Sequence, residues 1–269
     1  MIGMFKAWFR RNPALAIFSG QVLSIVAFLG IWQLLSLYII DKFWISSPVD
    51  IFTTLIRWIL SSDFWFHLNI TLYEIVVGFI LGGGLGVVLG FVLGQYELLG
   101  KIFDPLLVAS YGVPRSALAP LFILWFGIGL KSKIAQAAVM VFFVAFFNTF
   151  AGVKSVDLDF INVAKILGAN EKQIVRKIKL PAAFPFIITG LKVGLPMALI
   201  GAVVAEFISS NKGIGYLIMR STGMFDTAGT FAGIFTLLFV VMIINALLNI
   251  VEKHVLRWRP AGKYAGSAE

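Results

Sequence analysis

No cysteine occurs in the 269 residues, and there are only two histidines, His67 and His254. Disulfides are therefore excluded, and a compact zinc site loses its commonest ligands. Charge is scarce as well. Asp, Glu, Lys and Arg make up 13% of the chain, where soluble domains carry about a quarter. Reactive signatures are also missing: there is no G-x-x-x-x-G-K-[ST] phosphate loop, no G-x-S-x-G elbow and no H-E-x-x-H helix. These absences argue against an enzyme and against a chain that binds ATP through its own phosphate loop. Acidic groups are sparse in the apolar runs, which hold little beyond Glu74, Asp104 and Glu206, each near an expected membrane boundary. Carboxylates paired inside the membrane, of the kind that relay protons, are not expected.

Apolar residues fill the space, at 59% of the chain. About 20 consecutive apolar residues span a bilayer as a helix. Six stretches qualify, near 17–40, 70–94, 103–126, 133–153, 184–208 and 230–252. The third is the weakest, because Pro114, Arg115 and Pro120 interrupt it. No cleavable signal peptide is expected, since the run that follows the basic Met1–Pro13 stretch is long enough to remain as a span.

The net charge of +9 invites a nucleic-acid reading, but the placement of the charges argues against one. With the N-terminus inside, fourteen Lys and Arg fall on inner segments and six, including Lys133 and Lys212, on outer ones. That bias is the positive-inside rule, so the basic balance reports topology. The expected organisation is a cytoplasmic N-terminus at 1–16, one polytopic membrane domain at 17–252 and a cytoplasmic tail at 253–269. Within the membrane domain a basic cytoplasmic loop occupies 154–181.

Between the first two spans, residues 41–67 are aromatic-rich and too polar to cross. Ile51, Leu55, Ile56, Trp58 and Ile59 recur at near-helical spacing, which predicts an amphipathic helix at the outer interface, with Trp44, Trp58 and Trp65 near headgroup level. The second span carries Gly78, Gly82, Gly86, Gly90 and Gly94. A glycine every fourth residue lines one helix face and lets another backbone come close, so this span is expected at a helix–helix seam. Pro114 and Pro120 break the third span, and broken backbone at membrane depth needs protein or a water-filled cavity around it. Arg115 inside it faces either a pathway or backbone carbonyls.

Lys192 and Glu206 lie 14 positions apart on the fifth span, about 21 Å along its axis and about 40° around it. One reading places both, with Arg115, Pro114 and Pro120, along a pathway for an anionic or strongly polar solute. The other lets Lys192 snorkel inward, pairs Glu206 with the polar loop after it, for example Lys212, and leaves Arg115 structural.

The most polar stretch is "NVAKILGANEKQIVRKIKLP", residues 162–181. Asp157 or Asp159 can cap a short helix that stops at Gly168, and Asn170 with Gln173 can form a capping box for a second. Pro181 is expected to close that second piece. Val163, Ile166, Leu167, Ile174 and Ile178 are expected on one side, making a knob for a partner's groove.

This stretch resembles the cytoplasmic "EAA" loop of ATP-binding-cassette (ABC) importer permeases, E-A-A, three residues, Gly, nine residues, Ile-x-Leu-Pro. Ala164, Gly168, Ile178 and Leu180-Pro181 match it, while Asn162 and Val163 replace the glutamate and the first alanine. Farther along, "VPRSALAPLFILWFGIGLKSKI", "NTFAGVKSVD", "LPAAFPFIITGLKVGLPMAL" and "AEFISSNKGIGYLI" look like the nitrate/sulfonate/taurine branch of these permeases. The resemblance implies an all-α polytopic protein with six transmembrane helices in the type I importer (MetI-like) permease fold. It implies residence in the inner, cytoplasmic membrane with both termini cytoplasmic, and a second permease copy in a homodimer. Two ATP-binding subunits would dock on Asn162, Ala164, Gly168, Ala169, Ile178, Leu180 and Pro181. An extracytoplasmic solute-binding protein would deliver the solute. ATP and Mg would reside in the partner subunits, leaving this chain with no cofactor, no metal and no catalytic residue. Sulfonates, taurine and nitrate are the implied solutes, with pyrimidine or vitamin precursors handled by similar permeases. The rival reading is a secondary carrier driven by an ion gradient.

Overall fold

The structure, a computed structural model, describes residues 13–255. Residues 1–12 and 256–269, most of the expected N-terminus 1–16 and tail 253–269, lie outside the described residues. The described residues are helical, without a strand. They divide into two compact units, one of residues 13–62 and 217–235, the other of residues 63–216 and 236–255.

The first unit opens with α1 (Pro13–Tyr38), followed by α2 (Lys42–Ile45) and α3 (Pro48–Ile59). Ser47 caps α3, its hydroxyl accepting from the Asp50 amide at 3.1 Å, and Pro48 occupies the first turn, where no backbone donor is needed. Lys42 reaches back to Asp50 at 2.8 Å. The amphipathic reading of 41–67 meets a shorter helix than expected. Ile51 and Thr54 are buried, Ile56 and Ile59 are exposed, and residues from Ser62 onward already belong to the next long helix. The rest of this unit is the later part of α11 (Ile214–Gly223) and the first turns of α12 (Thr227–Val255). There Trp32 packs edge-on to Phe231, and Phe43 stacks on Phe225.

The second unit holds α4 (Ser62–Gln95), α5 (Glu97–Tyr111), a 3₁₀ turn (Arg115–Leu118), α6 (Ala119–Phe126) and α7 (Leu130–Lys154). It continues with α8 (Leu158–Ile166), α9 (Glu171–Ile174), a π turn (Val175–Lys179), α10 (Leu180–Ile208) and the remainder of α12. Its core joins Ile75 of α4, Ala137 and Val141 of α7, Leu195 to Val203 of α10, and Val240 of α12.

Among the described residues five helices are long and apolar enough to cross a membrane: Ile17–Tyr38, Ser62–Gln95, Leu130–Lys154, Glu171–Ile208 and Thr227–Ile250. The sixth passage follows from the glycine register. A Cβ on Gly78 would meet Ala137, on Gly86 Phe142 and Ala145, on Gly90 Phe146 and Thr149, and on Gly94 Val153. Contacts that rise together in number mean that α4 and α7 run parallel. Parallel neighbours need a crossover connection, so residues 96–129 must traverse the same thickness in the opposite sense. They do so as two pieces, α5 and α6, with the bend at Gly112–Pro114 between them. With the five long helices this makes six passages among the described residues, the all-α, six-span arrangement expected from the sequence. α10 runs antiparallel to α7, since Gly152 abuts Phe186, Gly190 abuts Asn148 and Gly201 abuts Ala137.

Candidate functional site

Three places gather the chemistry-bearing residues. The first is the loop between α7 and α10. Asp157 caps α8, accepting from the Asp159 amide at 2.9 Å. Gly168 turns the chain at φ +84, a conformation that side chains with a Cβ rarely adopt. Asn170 and Gln173 then form the capping box, each side chain accepting from the other's amide at 2.9 Å. Lys165 bridges the turn to Glu171 at 3.1 Å.

Two expectations are corrected here. The five apolar side chains do not share a face: Ile174 is 1% exposed, whereas Ile166 and Leu167 are 84% and 81% exposed. The turn at Gly168 rotates α9 so that Ile174 seats in the bundle while α8 projects Leu158, Phe160, Val163, Ile166 and Leu167 outward. Nor does Pro181 close the second piece. The π turn carries the helix into α10 without a break, so Pro181 lies inside a continuous helix, directly after the π turn at which the hydrogen-bond register widens. Asn162, Gly168 and Leu180 are exposed; Ala164, Ala169, Ile178 and Pro181 are half-buried.

The second place is the broken third passage. Pro114 is exposed and precedes the 3₁₀ turn, while Pro120 starts α6 rather than breaking it. The half-buried Arg115 presents its carbonyl to Gln136 Nε2 at 3.0 Å. Its guanidinium stands 4.9 Å from the centre of the Phe143 ring, a cation–π contact. The broken backbone is thus tied to α7 by a polar and an aromatic contact.

The third place is a polar cluster at the end of the unit where α4 and α7 begin and α10 finishes. Glu206 Oε1 accepts from the Thr71 hydroxyl at 2.7 Å, and Oε2 from the Gly215 amide at 2.5 Å. Thr71 Oγ1 accepts in turn from the Ile214 amide at 2.8 Å. His67 Nδ1 accepts from the Gly213 amide at 2.9 Å. Lys133 Nζ donates to Ser210 Oγ at 2.7 Å and lies 3.4 Å from Glu74 Oε1. Glu74, Lys133 and Glu206 are all buried. Gly213, at φ +106, and Gly215 admit the carboxyl: a Cβ on either would fall on the Glu206 side chain.

This geometry corrects three expectations. Glu74 and Glu206 form a buried pair, within hydrogen-bonding reach of each other, because Glu74 near the start of α4 and Glu206 at the end of α10 come to one level. Lys133 is an interior residue, not a loop cation, because α7 begins at Leu130. Glu206 pairs with Thr71 and Gly215, not with Lys212. Lys192 meets none of these; it donates to Glu252 Oε2 at 2.6 Å near the opposite end of α10. From the sequence Lys133 counts only as an outer cation and His67 only as one of two histidines, and neither Thr71 nor the Gly213/Gly215 turn is singled out. The available signals were Thr71 one turn before Glu74 and the two closely spaced glycines after Glu206. Among the described residues no group of three or more His, Asp or Glu is placed to hold a metal ion.

Residues 82–258 match the family model described as "Binding-protein-dependent transport system inner membrane component". The chain is 37% identical over 232 residues to the putative aliphatic sulfonates transport permease protein SsuC of Bacillus subtilis (strain 168), covering 86% of this chain and 84% of that protein. It is 34% identical to the formylaminopyrimidine transport permease protein ThiX of Halalkalibacterium halodurans, over 85% and 91% of the two chains. It is 33% identical to the riboflavin transport system permease protein RibX of Chloroflexus aurantiacus, over 89% and 90%. A solved structure of the MetNI methionine ABC transporter in an inward-facing conformation superposes with a TM-score of 0.55 at 20% identity, covering 75% of this chain and 96% of that one. That likeness carries the fold.

Proposed function

This chain belongs to the binding-protein-dependent transport inner-membrane-component family, and we propose that it brings a small polar solute into the cytoplasm using ATP hydrolysed by partner subunits. It is a multi-pass membrane permease, and family membership removes support from the ion-gradient carrier. The carrying observation is the loop at 154–181. Its apolar residues Leu158, Phe160, Val163, Ile166 and Leu167 are exposed on a short, capped helix between two spans. An apolar knob on a rigid, capped base fits a partner's groove. We assign it to docking of two ATP-binding subunits, one on each copy of a permease homodimer, with both termini cytoplasmic and a solute-binding protein on the other side. ATP and Mg belong to those partners.

The proposed solute is an organic or inorganic anion such as a sulfonate, taurine or nitrate, supported by the likeness to SsuC. A pyrimidine or vitamin precursor is the second reading, supported by the likeness to ThiX and RibX. The proposed pathway runs past Pro114, Arg115 and Pro120. Lys192 and Glu206 join it only in a state where the Glu252 ion pair and the Thr71 bond are open.

The test is reconstitution with a cognate cassette ATPase and solute-binding protein, followed by uptake of labelled taurine, an alkanesulfonate, nitrate and a formylaminopyrimidine. Uptake that needs ATP and receptor supports the reading, and the solute accumulated decides between the two classes. Uptake driven by an ion gradient without ATP overturns it.

A further inference from the structure

We propose that Glu74 and Glu206 share one proton, and that this proton closes a clamp fastening the turn at 209–215 to α4, α7 and α10.

Donors and acceptors are distributed unequally over the two carboxyl groups. Glu206 has a hydroxyl donor on one oxygen and an amide donor on the other, the environment of an ionised carboxylate. Glu74 differs. It is 0% exposed, and neither of its carboxyl oxygens receives a hydrogen bond. Lys133 Nζ is its ion-pair partner, but at 3.4 Å, with the shorter bond going to Ser210. Facing each other as carboxylates, Glu74 and Glu206 would be two acceptors without a donor, and their like charges would repel in a buried site.

A single proton resolves both defects. Carried on Glu74, it makes that side chain a donor to Glu206, and a carboxyl–carboxylate hydrogen bond is short and strong. One carboxylate then faces one ammonium, so the buried cluster carries no net charge. Two acceptor oxygens beside an ammonium are a poor cage for a sodium ion, which needs several oxygens around it.

The surrounding groups leave this assignment standing. On α4, His67 spends Nδ1 as an acceptor for Gly213 and turns Nε2 towards Asp63 Oδ1 at 3.6 Å. In the turn, Lys212 lies over the Phe66 ring at 5.5 Å, and Tyr216 of α11 packs on the His67 ring. On α7 the facing charge is Lys133. None of these besides Lys133 pairs with Glu74.

The consequence is an asymmetry between two chemically identical residues. Glutamine at 74 supplies an N–H donor where the protonated carboxyl stood, so it replaces the shared proton. Glutamine at 206 turns one oxygen into an amide that cannot accept from Thr71 or Gly215. The experiment uses the full chain in lipid nanodiscs, with infrared spectra at neutral pH and melting curves for the parent, Glu74→Gln, Glu74→Ala and Glu206→Gln. The parent is expected to show the C=O stretch of a buried protonated carboxyl, absent from Glu74→Gln. Glu74→Gln is expected to keep the parental melting temperature, while Glu74→Ala and Glu206→Gln lose several degrees. If Glu206→Gln does not fold, the infrared comparison and the Glu74 pair decide alone. A parent without that band overturns the proposal. So does a Glu74→Gln variant as unstable as Glu74→Ala, or a parental melting temperature that falls when choline replaces sodium at constant ionic strength.

Discussion

Lys192 Nζ lies 2.6 Å from Glu252 Oε2, an ion pair that joins α10 to α12 across 60 residues of sequence. Each side chain is about a third exposed, so solvent screens part of the attraction, and pairs of this kind contribute about 0.2–1 kcal/mol. A double-mutant cycle of Lys192→Gln and Glu252→Gln is expected to give a coupling in that range from melting curves. A coupling of zero would mean that the pair does not hold these helices together. Loss of uptake in both single variants, with stability retained, would place the pair in the transport cycle.

The glycine face of α4 carries its own control. A Cβ on Gly82 would land on the Ala138 backbone and one on Gly86 on Phe142 O, whereas Gly84 has no neighbour within 4 Å. Gly82→Ala and Gly86→Ala must therefore spread α4 from α7, an overpacking cost of about 1–3 kcal/mol. Gly84→Ala is expected to be neutral or mildly stabilising, by up to about 1 kcal/mol, since alanine is the better helix former. Equal effects at all three positions would dismiss the close approach of the two helices.

At Gly168 no atom stands within 4 Å of a Cβ, so the requirement for glycine lies in φ alone. Gly168→Ala is expected to cost about 1–2 kcal/mol locally, and Gly168→Asn less, because asparagine tolerates the left-handed region better. Ile166→Asp should leave the permease's own stability within about 0.5 kcal/mol, as suits an exposed position, yet abolish stimulation of the partner ATPase. Normal ATPase stimulation by the assembled Ile166→Asp transporter would remove α8 from the docking surface.

Asp50 links stability to pH in the first unit. The hydrogen bond from Lys42, and then that from the Ser47 hydroxyl, hold its carboxyl below the ordinary carboxylate value of 3.8. A lowered folded value means that the ionised form is favoured by folding. The contribution is thus present above pH 3.8 and lost as pH falls through the folded value. Asp50→Asn should flatten the acid limb of the melting profile and lower the neutral-pH melting temperature slightly, since the contribution of the ionised carboxyl is removed there, with the two proteins converging in acid. An unchanged acid limb would show that the link to Lys42 does not persist in solution.

Local signals were legible wherever they were periodic or positional. Five long apolar runs, the four-residue glycine repeat, and the Asn170–Gln173 capping box are all properties of neighbours within a few turns. The third passage was legible as broken, because Pro114 interrupts its run, but the bend was attributed equally to Pro120, which in fact begins a helix. The orientation of the loop was not legible, because spacing predicts which side chains share a face of one helix. It does not predict how a left-handed glycine rotates the next helix. Nor does the spacing of Lys192 and Glu206 reveal that each is paired on another element, with Glu252 of α12 and Thr71 of α4.

By itself the sequence determined that this chain crosses a membrane as helices, where the passages fall, and which loop is capped and basic. Those outcomes follow from apolar length and from hydrogen bonds closed within a few residues, which a bilayer enforces on every segment separately. Only the tertiary structure decided that α4 and α7 run parallel, that Thr71 bonds Glu206 from 135 residues away, and that Glu74 meets Glu206 without a donor between them. In lipid every face of a span is apolar, so hydropathy does not mark the face that packs. Which polar groups meet is settled by the small residues that let particular helices approach.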